Sequence, residues 1–174
     1  RVFLYFGTIK PYKGIIKLIN VFHRIQNHNI KLIIAGKVVN AQYLQKINDA
    51  IENNDSIILI NEFIKPNDLQ IYFNAADAVI LPFINIENSG SAILAMGFKK
   101  VVVTPKIGVL CDRLNNQREF LYENNIKIEI ENEIENKIVK IIETDIKNLI
   151  TIGNNNFNEL KKYKWSDFGN YFIN

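Results

Sequence analysis

Asn88-Ser89-Gly90-Ser91 places small amide and hydroxyl residues directly ahead of a short apolar segment, a pattern able to hold a phosphate. A helix N-terminus presents unpaired N–H groups and a partial positive charge, and Gly90 carries no side chain to keep an anion off the backbone. Glu87 precedes the group in the same polar loop. Lys13, at the end of Gly7-Thr8-Ile9-Lys10-Pro11-Tyr12-Lys13, would bring an ammonium from a second loop. Each feature also has a plainer reading. Ser89 or Ser91 suits an ordinary N-cap with Gly90 turning the chain, and Lys10 and Lys13 suit solvated loop lysines. The choice turns on whether the two loops meet.

Other chemistry is thin. His23 and His28 sit in or just after the first predicted helix, at no metal-ligand spacing with Cys111, and read as surface or helix-end histidines. Cys111 has no neighbouring base and reads as a buried or loop thiol. Asp77 precedes a strand, at the amino end, and reads as a structural acid. No nucleophile elbow, Walker loop or dinucleotide fingerprint occurs, nor a general acid and base pair.

The elements that must position these residues alternate. Predicted strands are Val2 to Phe6, Leu32 to Ala35, Ile57 to Ile60, Ala78 to Leu81 and Val101 to Thr104. They are aliphatic runs without polar alternation, as expected of parallel strands covered on both faces. Between them lie predicted helices from Ile15 to about Ile25, Ala41 to Glu52, Leu69 to Ala75 (entered through Pro66, with Asn67 or Asp68 as cap) and Ser91 to Phe98. This is the pattern of a doubly wound parallel sheet of Rossmann-like α/β class, whose ligands sit outside the carboxyl ends of the strands. Both candidate loops lie at such ends. Beyond Pro105 the prediction is a loop over Ile107-Gly108-Val109-Leu110 that could drape over the crevice, a short strand at Phe120 to Tyr122, and extra C-terminal helices. The first of these is carried by Ile134, Ile138, Ile141 and Ile142, then Ile146, Leu149 and Ile150. Gly153 and the three asparagines after it are read as a break before a helix with Phe157 and Leu160. Trp165 to Ile173 reads as a last helix capped by Ser166 or Asp167.

A chain of 174 residues, 48% apolar, fits one domain with a full core, expected to span residues 1–174. No apolar run approaches a membrane span. The net charge of +3 comes from scattered basic residues, which suits an anionic small ligand or an acidic membrane surface without demanding either, and no nucleic-acid partner is expected. The lone Cys111 and the absence of a signal-like core in Arg1 to Phe6 predict a reducing, cytoplasmic location. Opening on a strand without an initiating Met, the chain is expected to be a fragment of a longer protein.

Four stretches in order, FGTIKPYKG, IIAGK, FIKPNDLQIYFNAADAVILPF and NSGSAILAMGFKKVVVTP, resemble the C-terminal, donor-binding domain of family 4 glycosyltransferases. The likeness runs from about Val2 to Cys111, and Trp165 with the last predicted helix resembles the family's ending. It implies a retaining transferase of the two-domain GT-B arrangement that moves a sugar from a UDP- or GDP-linked donor to a glycan or lipid-linked acceptor held by an absent N-terminal domain. It also implies polysaccharide biosynthesis, no metal or other cofactor, and membrane association of the full-length enzyme where the acceptor is lipid-linked. By the same resemblance Gly7 and Thr8 approach the diphosphate and Lys13 matches the phosphate-binding lysine, the expected catalytic group. Gly36 falls in the second donor-binding motif, Phe63 and Ile64 line the base, and Ser89, Gly90 and Ser91 receive the donor's phosphates and sugar. The chain departs from the family in two respects. Thr8 stands where an Arg is usual, and Leu94 and Ile86 stand where a pair of glutamates is usual. A leucine cannot accept a ribose hydroxyl's hydrogen bond, so Glu87 or Asn88 substitutes or the donor is held otherwise. The competing expectation is a non-catalytic Rossmann-like module for interaction or regulation.

Overall fold

The computed structural model describes residues 1–25, 29–84, 89–123 and 129–162. Six parallel strands form one sheet in the order β3-β2-β1-β4-β5-β6. In chain order these are β1 (Val2–Phe6), β2 (Lys31–Ala35), β3 (Ile57–Ile60), β4 (Ala78–Ile80), β5 (Val101–Pro105) and β6 (Leu121–Tyr122). The helices are α1 (Ile15–Arg24), α2 (Ala41–Ile51), α3 (Leu69–Ala75), α4 (Gly90–Gly97), α5 (Gly108–Arg113), α6 (Ile130–Glu143) and α7 (Ile146–Lys161).

The inner strands are covered on both faces, which is why they carry apolar residues at successive positions, whereas the edge strand β3 leaves Ile58 exposed. Two residues of β1 show the covering directly. Phe3 meets Phe22 of α1 edge-on, with ring centroids 5.7 Å apart, while Phe6 meets Phe73 of α3 at 5.2 Å. Three residues apart on a strand, Phe3 and Phe6 face opposite ways. Phe73 in turn stacks on Phe98 at 4.6 Å, tying α3 to the end of α4. Strand order reverses between β1 and β4, so the crevice of the doubly wound fold opens outside the carboxyl ends of those two strands.

Three expectations are corrected. The segment around Ile107 to Leu110 is not an open loop: Gly108 takes a left-handed backbone (φ 59°) and opens the short helix α5. Neither Asn67 nor Asp68 caps α3 with its side chain, because Pro66–Asp68 already winds as a 3-10 turn and Asp68 is helical itself (φ −93°, ψ −10°). Gly153 and the asparagines do not break the chain, and α7 runs through them unbroken. Packing decides this against propensity: a Cβ on Gly153 would stand 1.9 Å from the Lys99 carbonyl oxygen, so only glycine lets α7 lie this close to the end of α4. Asn156, fully buried, donates through Nδ2 to Lys100 O and Gln117 Oε1, both at 2.9 Å. A 3-10 segment, Asn115–Phe120, was announced by no periodicity. From it Gln117 acts as a substitute strand. Its Oε1 accepts from Val102 N at 3.0 Å and its Nε2 donates to Val102 O at 2.7 Å, closing the edge of β5 below the start of β6.

Asp77 accepts from Val2 N at 2.7 Å at the amino end of the sheet, in the structural role expected of it. His23 joins α1 to α2, its Nε2 lying 2.7 Å from Ala50 O. Cys111 is a free, half-buried thiol on α5. His28, Ile86, Glu87, Asn88 and the predicted helix from Trp165 with its Ser166 or Asp167 cap lie outside the described residues. Among the described residues no helix is long and apolar enough to cross a membrane.

Candidate functional site

The loops after β1, β2 and β3 are stitched together at the carboxyl edge of the sheet. Gly7 N donates to Ala35 O at 3.0 Å, Ile9 N to Lys37 O at 2.9 Å and Gly36 N to Ile60 O at 3.0 Å, each extending a ladder past its strand. Val38 N donates to the Asn61 side chain at 2.9 Å. The loops are too close for side chains on the glycines: a Cβ on Gly36 would lie 2.0 Å from Gly7 O.

Gly7 is the hinge of the site. Its φ of +130° disfavours any side chain, and the space a Cβ would take lies 2.8 Å from Ser91 Oγ and 3.8 Å from Lys13 Nζ. Residues from β1, the loop beyond it and α4 therefore converge on one point. Ser89 is the N-cap of α4, accepting from Ala92 N at 3.3 Å, which leaves Ser91 one position inside the helix with its hydroxyl turned to the crevice. The N-cap reading of the Ser-Gly-Ser group holds for Ser89, and Ser91 remains available to a ligand. Among the described residues no hydrogen bond takes the Thr8, Gly90 or Ser91 amide. A Cβ on Gly90 would meet no described atom within 4 Å, so nothing in the described packing requires glycine there.

Lys13 is not a freely solvated loop lysine. Its Nζ lies 5.6 Å from the centre of the Phe83 ring, and burial, with Lys10 adding repulsion, pulls its pKa below that of an ordinary lysine. The turn that presents it is the 3-10 segment Pro11–Lys13, followed by Gly14 in a left-handed conformation (φ 73°) against Pro82 O of the opposite loop. The stem of that opposite loop is held from the far strand: Tyr122 Oη donates toward Leu81 O and Phe83 O, 3.3 Å and 3.0 Å away. Burial raises the Tyr122 pKa well above that of a free tyrosine, so its hydroxyl stays a proton donor. Tyr122 was missed in the sequence because the contact spans 39 and 41 residues with no local signature.

Beside this convergence lies a cavity of about 200 Å³ walled by Gly7, Thr8, Gly36, Phe63 and Ile64. Ile64 is buried and anchors the loop, whereas Phe63 is 77% exposed and forms a wall. Lys37 and Glu62 also line this cavity. The sequence held a signal for both, since each stands next to a predicted site residue just past a strand end. Leu94, at the usual place of a glutamate, packs partly buried against the core. Of the expected set, Gly7, Thr8, Lys13, Gly36, Phe63, Ile64 and Ser91 are brought together through Gly7, with Ser89 and Gly90 at the head of the same helix. Among the described residues no group of three or more His, Cys, Asp or Glu side chains could hold a metal ion.

A parallel sheet of this strand order with its crevice at the reversal defines a Rossmann-like α/β protein. The chain belongs to the family Glycosyl transferases group 1, whose pattern matches residues 1–156. Among curated proteins it is 27% identical over 123 residues to the GDP-mannose:glycolipid 4-beta-D-mannosyltransferase of Xanthomonas campestris, covering 69% of this chain and 35% of that enzyme. The chain thus spans about a third of the length of that relative. Among solved structures it resembles Anabaena HepE in complex with UDP and glucose (TM-score 0.78, 22% identity, 92% of this chain and 43% of that one). It also resembles the C-terminal domain of the group 1 protein LpcC of Francisella tularensis (TM-score 0.76, 18% identity, 92% and 84% of the two chains).

Proposed function

We propose that the chain is the nucleotide-sugar-binding, C-terminal half of a two-domain GT-B hexosyltransferase of family 4, working in polysaccharide synthesis at the cytoplasmic side. One observation carries the reading: Lys13 Nζ, Ser91 Oγ and the head of α4 close on Gly7 at the point where strand order reverses. A diphosphate placed there meets an ammonium, a hydroxyl donor and unpaired backbone amides, while the neighbouring cavity takes the base. As the glycosyl bond breaks, charge builds on the departing nucleoside diphosphate, and Lys13 with the α4 N-terminus stabilises it from fixed positions. Transfer by this means calls for no metal ion. Retention of configuration and a glycan or lipid-linked acceptor on a second domain complete the reading, as does low transfer activity for this half alone.

The names of the relatives support this reading, one using GDP-mannose and a structural neighbour holding UDP. The non-catalytic alternative draws on Leu94, which offers a ribose no acceptor. Calorimetric titration with UDP, GDP and their sugar conjugates separates the two. The Gly90→Val variant is the control, since a Cβ there meets no described atom within 4 Å and the valine would project where a ligand is expected. Saturable binding that the valine abolishes without lowering the melting temperature is the expected result. A folded protein that binds none of these ligands at millimolar concentration would leave the non-catalytic module.

A further inference from the structure

We infer that the cavity beside Gly7 selects guanine, with Glu62 reading the base edge. This rests on the reading that a nucleoside diphosphate occupies the site, and it names which one. Glu62 and Lys37 line the cavity together with Phe63 and Ile64. Neither charged group is taken by a hydrogen bond or ion pair among the described residues. The two loops that carry them are joined, because Asn61, next to Glu62, accepts at 2.9 Å from the amide of Val38, next to Lys37. The pocket therefore offers a carboxylate that only accepts and an ammonium that only donates, beside an exposed aromatic ring on which a base can stack.

The bases differ in how they meet such a pair. Guanine presents two adjacent donors, N1–H and the 2-amino group, with the O6 acceptor next to them. Both carboxylate oxygens of Glu62 can be matched, and Lys37 can take O6, a contact lysine commonly makes to guanine. Uracil presents a single N3–H donor between two carbonyls. A carboxylate on that donor sets its second oxygen against a carbonyl, and the desolvated charge is left half satisfied. Adenine and cytosine each offer an amino donor beside a ring acceptor, which meets the carboxylate no better.

The test is calorimetric titration of the 174-residue chain with GDP, inosine diphosphate and UDP, for the natural sequence and for Glu62→Gln. Glu62 is exposed, so the variant keeps the fold. The natural sequence should bind GDP at least about tenfold more tightly than UDP, the worth of a well-formed two-point contact to a base. Inosine diphosphate, which lacks the 2-amino group, should fall between them. Glu62→Gln should collapse or invert the preference, since its amide donates to the uracil carbonyl that the carboxylate repels. Equal or tighter UDP binding, equal GDP and inosine diphosphate affinities, or a preference unchanged in Glu62→Gln would each overturn the guanine assignment while leaving the diphosphate site intact. Failure of all three nucleotides to bind would remove the nucleotide reading together with it.

Discussion

Lys13 sits in a conflict that the rest of the site explains. Half-buried beside Phe83, with Lys10 nearby, it is held where burial disfavours its charged form, a cost that the Phe83 ring does not remove. An arriving diphosphate relieves that cost, so its binding raises the depressed lysine pKa and takes up a proton wherever the free lysine is partly neutral. Affinity for a nucleoside diphosphate therefore falls as pH rises through the lowered pKa, and falls earlier than for an ordinary lysine. Titrations toward alkaline pH should show this decline for the natural chain and a flatter profile for Lys13→Arg, whose guanidinium stays charged. Lys13→Ala should weaken binding about 10- to 100-fold, the worth of a hydrogen bond to a charged group, and raise the melting temperature by removing a poorly solvated charge. An alanine variant that binds as well as the natural chain would take Lys13 out of the site. At this scale the sequence showed the residue types but not their meeting. Thr8, Lys13, Phe63 and Ser91 were readable as loop residues near strand ends, whereas the role of Tyr122 under the opposite loop exists only once β6 is placed.

Strands β1, β2, β4 and β5 were legible to within a residue or so because their aliphatic runs are covered on both faces, and the edge strand β3 was legible from its aliphatic run although Ile58 is exposed. The errors fall where tertiary contact overrides local preference. Glycine followed by asparagines is a poor helix in isolation, yet α7 runs through it because Gly153 lets the helix axis press on the Lys99 carbonyl and Asn156 plugs into Gln117 and Lys100. Lys99 itself adopts a positive φ of 57° to end α4, which turns that carbonyl toward α7. Gly153→Ala should therefore destabilise the protein by about 1–3 kcal/mol, the usual cost of overfilling a tight contact, although alanine is the better helix former. Gly97→Ala, where the nearest atom would be a leucine methyl 3.9 Å away, should be neutral to stabilising. Chemical denaturation of the pair reads the difference, and a Gly153→Ala chain as stable as the natural one would mean that α7 does not lie against α4 in this way.

On the scale of the whole molecule, the sheet exists to bring two loops from distant parts of the chain to one place, with β6 and the Gln117 plug bracing the β4 and β5 side. The doubly wound class was evident in the alternation of elements, and with it the end of the sheet where a ligand would sit. Charge and composition could not distinguish one nucleotide from another, since that depends on which side chains share a cavity. Hydrogen exchange of backbone amides, with and without saturating GDP or UDP, tests the central claim most directly. Bound nucleotide should slow exchange over residues 7–14, 36–37, 62–64 and 89–92, the segments that border the space above Gly7 and the adjoining cavity. Protection concentrated elsewhere, for instance in the hollow bordered by Glu143, Asp145 and Asn148 at the α6–α7 turn, would contradict it.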